Sequence, residues 1–134
     1  VGGLQGDTLL GGTDDDTLRP DSDGTTDDSV SGGGGIDTAD YTGTTKNLEL
    51  RIGSGQDPAL VSDLILEDVE RLIAGSGNDN IFNAFGAPMT ILGGAGADTI
   101  TGGSGNDRLE AGSGADRLFG GFGDDVLVLN TRDG

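Results

Sequence analysis

Asp98, Asp107, Asp116 and Asp125 each stand sixth in a nine-residue unit. The four units run without a break: GGAGADTIT from Gly93, GGSGNDRLE from Gly102, AGSGADRLF from Ala111 and GGFGDDVLV from Gly120. Glycine holds places 2 and 4 in all of them, and a large aliphatic residue holds place 8. A short carboxylate behind a glycine-rich loop is suited to oxygen ligation of a hard cation. Calcium takes six to eight oxygens at about 2.3–2.6 Å and tolerates irregular shells. The glycines allow successive backbone carbonyls to turn toward one point, at angles that a Cβ disfavours. Place 5 carries Asn78, Asn106 and Asp124, residue types that also tolerate such angles. With no histidine and no cysteine in the chain, the usual zinc and copper ligands are missing.

The pattern GGxGxDxUx, with U aliphatic, resembles the repeats-in-toxin (RTX) family of calcium-binding nonapeptides. A fifth close copy, AGSGNDNIF, starts at Ala74. Between it and Gly93 lies a decayed ten-residue unit, NAFGAPMTIL, which keeps Ile91 at the apolar place but has no aspartate. A first block reads GGLQGDTLL from Gly2, GGTDDDTLR from Gly11 and GGGGIDTAD from Gly32. It departs from the motif at place 4, where Gln5 and Asp14 replace glycine. The resemblance, over residues 2–40 and 74–128, implies an all-β fold, a right-handed parallel β-roll or β-solenoid. It also implies export by a type I secretion system of a Gram-negative bacterium, with folding on extracellular calcium. Any catalytic domain, such as a protease, lipase, epimerase or adenylate cyclase, would lie outside these residues.

One loop supplies half a shell, so a loop two units further on must supply the rest. The spacing pairs Asp98 with Asp116 and Asp107 with Asp125, and Asp79 with Asp98 across the ten-residue unit. In the first block it pairs Asp7 with Asp28 and Asp16 with Asp37. The twelve-residue unit from Pro20 to Ser31 explains the longer step of both. Several calcium ions are therefore expected. The expected metal positions are Asp7, Asp16, Asp28 and Asp37, then Gly75, Gly77 and Asp79. They continue with Gly93, Gly94, Ala95, Gly96 and Asp98; Gly102, Gly103, Ser104, Gly105 and Asp107; Ala111, Gly112, Ser113, Gly114 and Asp116; and Gly120, Gly121, Gly123 and Asp125. Asp107 lacks a carboxylate partner in the decayed unit, so a site on that side should be weak or missing.

Charge and composition point the same way. The 134 residues carry 24 acidic and 7 basic groups, a formal net charge of −17. That sign disfavours nucleic acid and anionic membranes, and without counterions the chain should self-repel. Only 32% of the residues are apolar and 28 are glycine, too little for a conventional core. Composition alone would suit a disordered linker, but the fixed phase of place 8 argues for a fold that depends on calcium. No apolar run is long enough to span a membrane. Val1 opens directly onto a repeat, as expected of a piece of a longer protein whose neighbouring domains would be partners.

The elements follow from the period. Places 7–9 form short strands of about three residues, with place 8 inward. The inward set is Leu9, Leu18, Val30, Ala39, Ile81, Ile91, Ile100, Leu109, Leu118 and Leu127. Two units make one turn. The spacer 41–73, between a first block at 1–40 and a second at 74–128, is expected to add strand-like coils to the same solenoid. A helix over Leu60–Ile73 is the alternative. A short tail, 129–134, follows the second block. Glu67, Asp68 and Glu70 read as an exposed charged edge, with ligation of the neighbouring loop as the alternative. Asp21, Asp23, Asp27 and Asp28 form either a solvated acidic bulge or one more calcium loop. An EF-hand is excluded there by Arg19 and Val30 at its first and last ligand places. Arg108 and Arg117 read as solvent-facing partners of nearby carboxylates, and Phe82 and Phe119 fall on one outer face. No nucleotide-binding loop and no catalytic constellation stands out, so the expected role is a structural calcium module, not an enzyme. The alternative is an adhesin that binds an extracellular surface or polysaccharide with its outer face.

Overall fold

In a computed structural model, residues 8–20, 28–53, 64–65 and 68–130 are described. Among these residues thirteen strands follow one another: β1 (Thr8–Gly12), β2 (Thr17–Leu18), β3 (Ser29–Gly33), β4 (Thr38–Asp40), β5 (Glu49–Ile52), β6 (Leu64–Ile65) and β7 (Arg71–Ile73). The second half adds β8 (Asn80–Asn83), β9 (Thr90–Leu92), β10 (Thr99–Ser104), β11 (Arg108–Glu110), β12 (Arg117–Phe122) and β13 (Val126–Val128). No helix occurs among the described residues. The chain is an all-β solenoid of stacked parallel strands.

Two parallel sheets face each other. One has the order β1-β3-β6-β5-β8-β10-β12, and the other β13-β11-β9-β7-β4-β2. In the regular part, consecutive strands alternate between sheets, so each strand pairs with the one two units away. Thr99 pairs with Arg117 and Arg108 with Val126, the 18-residue step of two nonapeptides. The ten-residue unit lengthens one step, so Asn80 pairs with Thr99. The twelve-residue unit lengthens two others, so Leu9 pairs with Val30 and Leu18 with Ala39.

Place 8 lines the core as expected. Val30, Ala39, Ile81, Ile91, Ile100 and Leu109 are fully buried, Leu18 is nearly so, and Leu9 and Leu118 pack partly against them. Leu127 departs from its inward assignment and is 45% exposed, because β13 is an edge strand with no coil stacked beyond it among the described residues. Strand length departs too. β10 and β12 run six residues, since Gly103 and Ser104 stay in register with Gly121 and Phe122.

The spacer adds β5, β6 and β7 to the two sheets, and Leu48, Leu50, Ile52, Val69 and Leu72 from it join the core. Its order is not sequential, because β6 pairs with both β3 and β5 and so lies between them. The part of the helix alternative that falls on residues 60–63 and 66–67 lies outside the described residues. The remainder contains β6 and β7.

Candidate metal loops

Among the described residues, the loops that enter the strands stack along the two edges of the roll. Loops 74–79, 93–98 and 111–116 lead into the seven-stranded sheet. Loops 11–16, 32–37, 84–89, 102–107 and 120–125 lead into the six-stranded one.

The aspartates at place 6 form a hydrogen-bonded ladder along each edge. The Asp98 N–H donates to Asp116 Oδ1 at 2.9 Å, and the Asp79 N–H donates to Asp98 Oδ1 at 2.8 Å. On the other edge the Asp107 N–H donates to Asp125 Oδ1 at 2.9 Å, and the Asp16 N–H to Asp37 Oδ1 at 2.8 Å. These are four of the five pairs read from spacing. The fifth, Asp7 with Asp28, involves Asp7, which lies outside the described residues; Asp28 itself is buried.

The ladder uses one oxygen of each carboxylate. At Asp37, Asp79, Asp98 and Asp107 the other oxygen, Oδ2, is buried without a hydrogen-bond partner. A buried charged oxygen left unpaired is strongly unfavourable, and a cation beside it removes the penalty. Space at each site is set by the glycine at place 1. A Cβ on Gly93 would stand 2.7 Å from Asp98 Oδ2, and one on Gly102 the same distance from Asp107 Oδ2. Gly120 abuts Asp125 in the same way. Ala74 and Ala111 are the exceptions at this place, and both are buried.

Backbone bonds tie the loops to one another. Ser113 donates to the Gly94 carbonyl and Gly96 to the Ser113 carbonyl, both at 2.8 Å, and Ala95 bridges Ser113. Gly96 and Gly114 have φ of 132° and 136°. Each lies against the carbonyl of the glycine below, Gly77 and Gly96 respectively. Gly112, Gly121 and Gly123 repeat this stacking on Gly94, Gly103 and Gly105. Gly75 instead lies against Thr44, and Gly77 against Lys46.

Burial and mutual repulsion act on the carboxyls. Burial foremost, with repulsion from Asp79 and Asp116, pushes Asp98 up to about 6 despite the Asp79 N–H. Burial also raises Asp79 and, helped by the charge of Asp125, Asp107. Among the described residues no three acidic side chains converge on one point. An ion here would draw on one or two carboxylates and complete its shell from backbone carbonyls. The donor set is all oxygen, which fits calcium.

A family model for the RTX calcium-binding nonapeptide repeat, in 4 copies, matches residues 67–87 and 91–127. Over those residues the chain is similar to the RTX repeat. Among curated proteins no relative matches it. The family match is to a calcium-binding repeat and covers the second block; the first block lies outside it.

The spacer's acidic residues correct the reading of an exposed charged edge. Glu70 takes the ladder place, accepting the Asp37 N–H at 2.9 Å through Oε2. Asp68 Oδ2 accepts from Ser31 Oγ at 2.6 Å and from the Gly33 N–H at 3.1 Å. Glu67 lies outside the described residues. A signal for Glu70 was present in the sequence: Arg71-Leu72-Ile73 is an xUx strand, so the residue before it falls at place 6. Two further ladder donors, the N–H groups of Leu48 and Met89, carry no side-chain signal; they donate to Oδ1 of Asp79 and Asp107, each at 2.9 Å. The bulge carboxylates Asp21, Asp23 and Asp27 lie outside the described residues. Arg108 pairs with Glu110 at its surface.

Proposed function

We propose that this chain is a calcium-loaded scaffold that folds when it meets calcium outside the cell and supports a larger secreted protein. The observation that carries the reading is the half-satisfied carboxylate ladder: Asp37, Asp79, Asp98 and Asp107 each bury an oxygen that no donor reaches. Ions are assigned between loop pairs in which both place-6 aspartates are present: 74–79 with 93–98, 93–98 with 111–116, 102–107 with 120–125, and 11–16 with 32–37. In each pair the place-6 aspartates would contribute carboxylate oxygen and the glycine loops carbonyl oxygen. Each ion adds two positive charges to a chain of net charge −17 and ties one coil to the next.

Export fits this dependence. A chain that folds only with calcium stays open in a low-calcium cytosol, and extracellular calcium modules bind at about 10⁻⁴–10⁻³ M. Type I secretion from a Gram-negative cell is the route that the RTX resemblance implies. The role is structural, since a calcium-held aspartate stays ionised and is a poor general acid. Catalysis would belong to another domain of the parent protein. The test is a calcium titration followed by circular dichroism and calorimetry. We expect a cooperative gain of β signal that magnesium does not reproduce. An equal β signal in excess chelator would overturn the reading.

A second reading draws on the outer face of the seven-stranded sheet. Phe82, Thr101 and Phe119 lie in one cross-strand row, and the two rings are 46% and 55% exposed. Such a row suits adhesion to a polysaccharide or cell surface. Loss of glycan binding in a Phe82→Ala/Phe119→Ala variant that still folds with calcium would favour it.

A further inference from the structure

We infer that the acidic spacer coil completes a divalent-cation site with Asp37, supplied by Asp68 and not by a nonapeptide loop. The proposal rests on the calcium-binding reading above and adds a site that the GGxGxD motif does not encode. Residues 65–70 read Ile-Leu-Glu-Asp-Val-Glu, with no glycine at either motif place.

Three observations converge on the segment Ser31-Gly32-Gly33. Asp68 is fixed over it from the next coil, since its Oδ2 takes the Ser31 hydroxyl and the Gly33 N–H. Two carboxylate oxygens beside this segment, Asp68 Oδ1 and Asp37 Oδ2, are buried and have no hydrogen-bond partner. Asp37 itself is 0% exposed. Gly32 lies against both Asp37 Oδ2 and the Asp68 main-chain carbonyl, and a Cβ there would overlap both. The Asp37 carboxylate and the Asp68 carbonyl thus meet at Gly32, while the Asp68 carboxylate is held on the flanking Ser31 and Gly33, and the unpaired oxygens are shielded from water.

The chemistry selects the ligand class. A carboxylate oxygen shielded from water and left without a donor is unfavourable, and a divalent cation between the two coils would neutralise both charges at once. Oxygen donors alone favour a hard ion, and an irregular set of side-chain and carbonyl oxygens favours calcium over magnesium. Elsewhere in the roll the glycine loops would supply carbonyl oxygens to the ion. Here the longer reach of a side chain takes over that task. Glu70 is a positioning residue: it takes the Asp37 N–H and so holds the two coils in register. Where the decayed coil meets Asp107 there is no counterpart, because Met89 stands at place 6.

The experiment is calcium binding to the full chain by calorimetry, comparing wild type with Asp68→Asn and Asp98→Asn. Asparagine keeps the volume of Asp68 and one oxygen for Ser31 and Gly33 but removes the charge. We expect Asp68→Asn to bind one ion fewer per chain while reaching the wild-type β signal at saturating calcium. Unchanged stoichiometry and affinity in Asp68→Asn, with ions lost in Asp98→Asn, would overturn this site and leave the repeat sites standing. No calcium binding by the wild-type chain would remove both. If Asp68→Asn does not fold, wild-type crystals grown with calcium decide by anomalous scattering. A peak beside Asp37 and Asp68 supports the site; peaks at Asp79–Asp98 without one there reject it.

Discussion

Loop 93–98 and loop 74–79 share one motif but sit on different neighbours, and their glycines respond differently. Below 93–98 lies the complete loop 74–79, and Gly94 and Gly96 take positive φ. Below 74–79 lies the irregular stretch around Thr44 and Lys46, and neither Gly75 nor Gly77 takes positive φ. The other edge agrees. Loop 120–125 rests on a complete loop and has positive φ at both Gly121 and Gly123. Loop 102–107 rests on the decayed coil and has it at Gly103 but not at Gly105. The aspartate ladder crosses these junctions without a change. Asp79 takes the N–H of Leu48 as readily as Asp98 takes that of Asp79. The motif therefore contains two separable devices. The ladder needs only an N–H from the coil below, which any residue but proline provides. The curl at place 4 is lost over the irregular stretches, at Gly77 and Gly105, and kept over another repeat loop, as at Gly96, Gly123 and Gly35.

The largest effect should separate these devices outright. Removing calcium with a chelator should unfold the complete loop pairs, where buried carboxylates depend on the ion for charge balance. We expect hydrogen exchange at partial calcium to protect 93–128 before 28–53. Protection that appears in the reverse order would break the distinction between complete and irregular junctions.

Next in size are the aspartates themselves. Asp98 faces a carboxylate on both sides, Asp79 below and Asp116 above, whereas Asp107 faces Met89 below and Asp125 above. Asp98→Ala should thus weaken two candidate sites and Asp107→Ala one. Each also leaves a buried N–H unsatisfied, at a cost of about 1–3 kcal/mol. The calcium midpoint should rise more for Asp98→Ala. Equal shifts would mean that ions do not bridge neighbouring loops.

Glycine substitutions test the curled loop alone. Gly114→Ala places a Cβ at φ 136° against the Gly96 carbonyl, whereas Gly43 has nothing within 4 Å of a new Cβ. Backbone strain of this kind costs about 1–3 kcal/mol. We expect Gly114→Ala to lower the denaturation midpoint in calcium clearly and Gly43→Ala to leave it nearly unchanged.

Acidity should act in opposite directions with and without the ion. Asp98 is pushed up to about 6 in the fold, against an unfolded value near 3.8. Its folded form binds the proton more tightly, so in the metal-free chain this group stabilises the roll below about 4. That contribution is lost as pH rises through about 6. Calcium must displace the same proton, so its affinity should fall between pH 6 and 4. Titrations at pH 7 and pH 5 with matched ionic strength check both signs.

Much of this was legible from spacing. The 18-, 19- and 21-residue steps between aspartates reappear as N–H to carboxylate bonds because a stacked coil has one register. Place 8 gave the core because alternation along a three-residue strand leaves one inward side chain. Strand order in the spacer was not legible. Nothing local in Glu49–Ile52 or Leu64–Ile65 says that β6 inserts between β3 and β5, since pairing is decided by what the neighbouring coils leave open. Asp68 was misjudged for a related reason: its partners Ser31 and Gly33 lie 37 and 35 residues away, and no repeat spacing links them to it.

The smallest expected effect concerns place 5, which carries a second ladder of opposite direction. Asn47 Oδ1 accepts the Asn78 N–H and Asn78 Oδ1 accepts the Ala97 N–H, both at 2.8 Å. Asn106 does the same for Asp124 at 2.9 Å, and Asp15 for Ile36 at 2.8 Å. These bonds lie at exposed edges, and alanine already stands at place 5 in loops 93–98 and 111–116. They should therefore trim the loops without deciding the ions. Asn78→Ala gives up one neutral, solvent-reached bond, a loss of about 0.5–1.5 kcal/mol. It leaves every place-6 carboxylate in position. Thermal denaturation in saturating calcium should register that small loss while calorimetry returns the wild-type number of ions. A missing ion in Asn78→Ala would mean that place 5 belongs to the metal shell, and the division between ladder and loop would have to be redrawn.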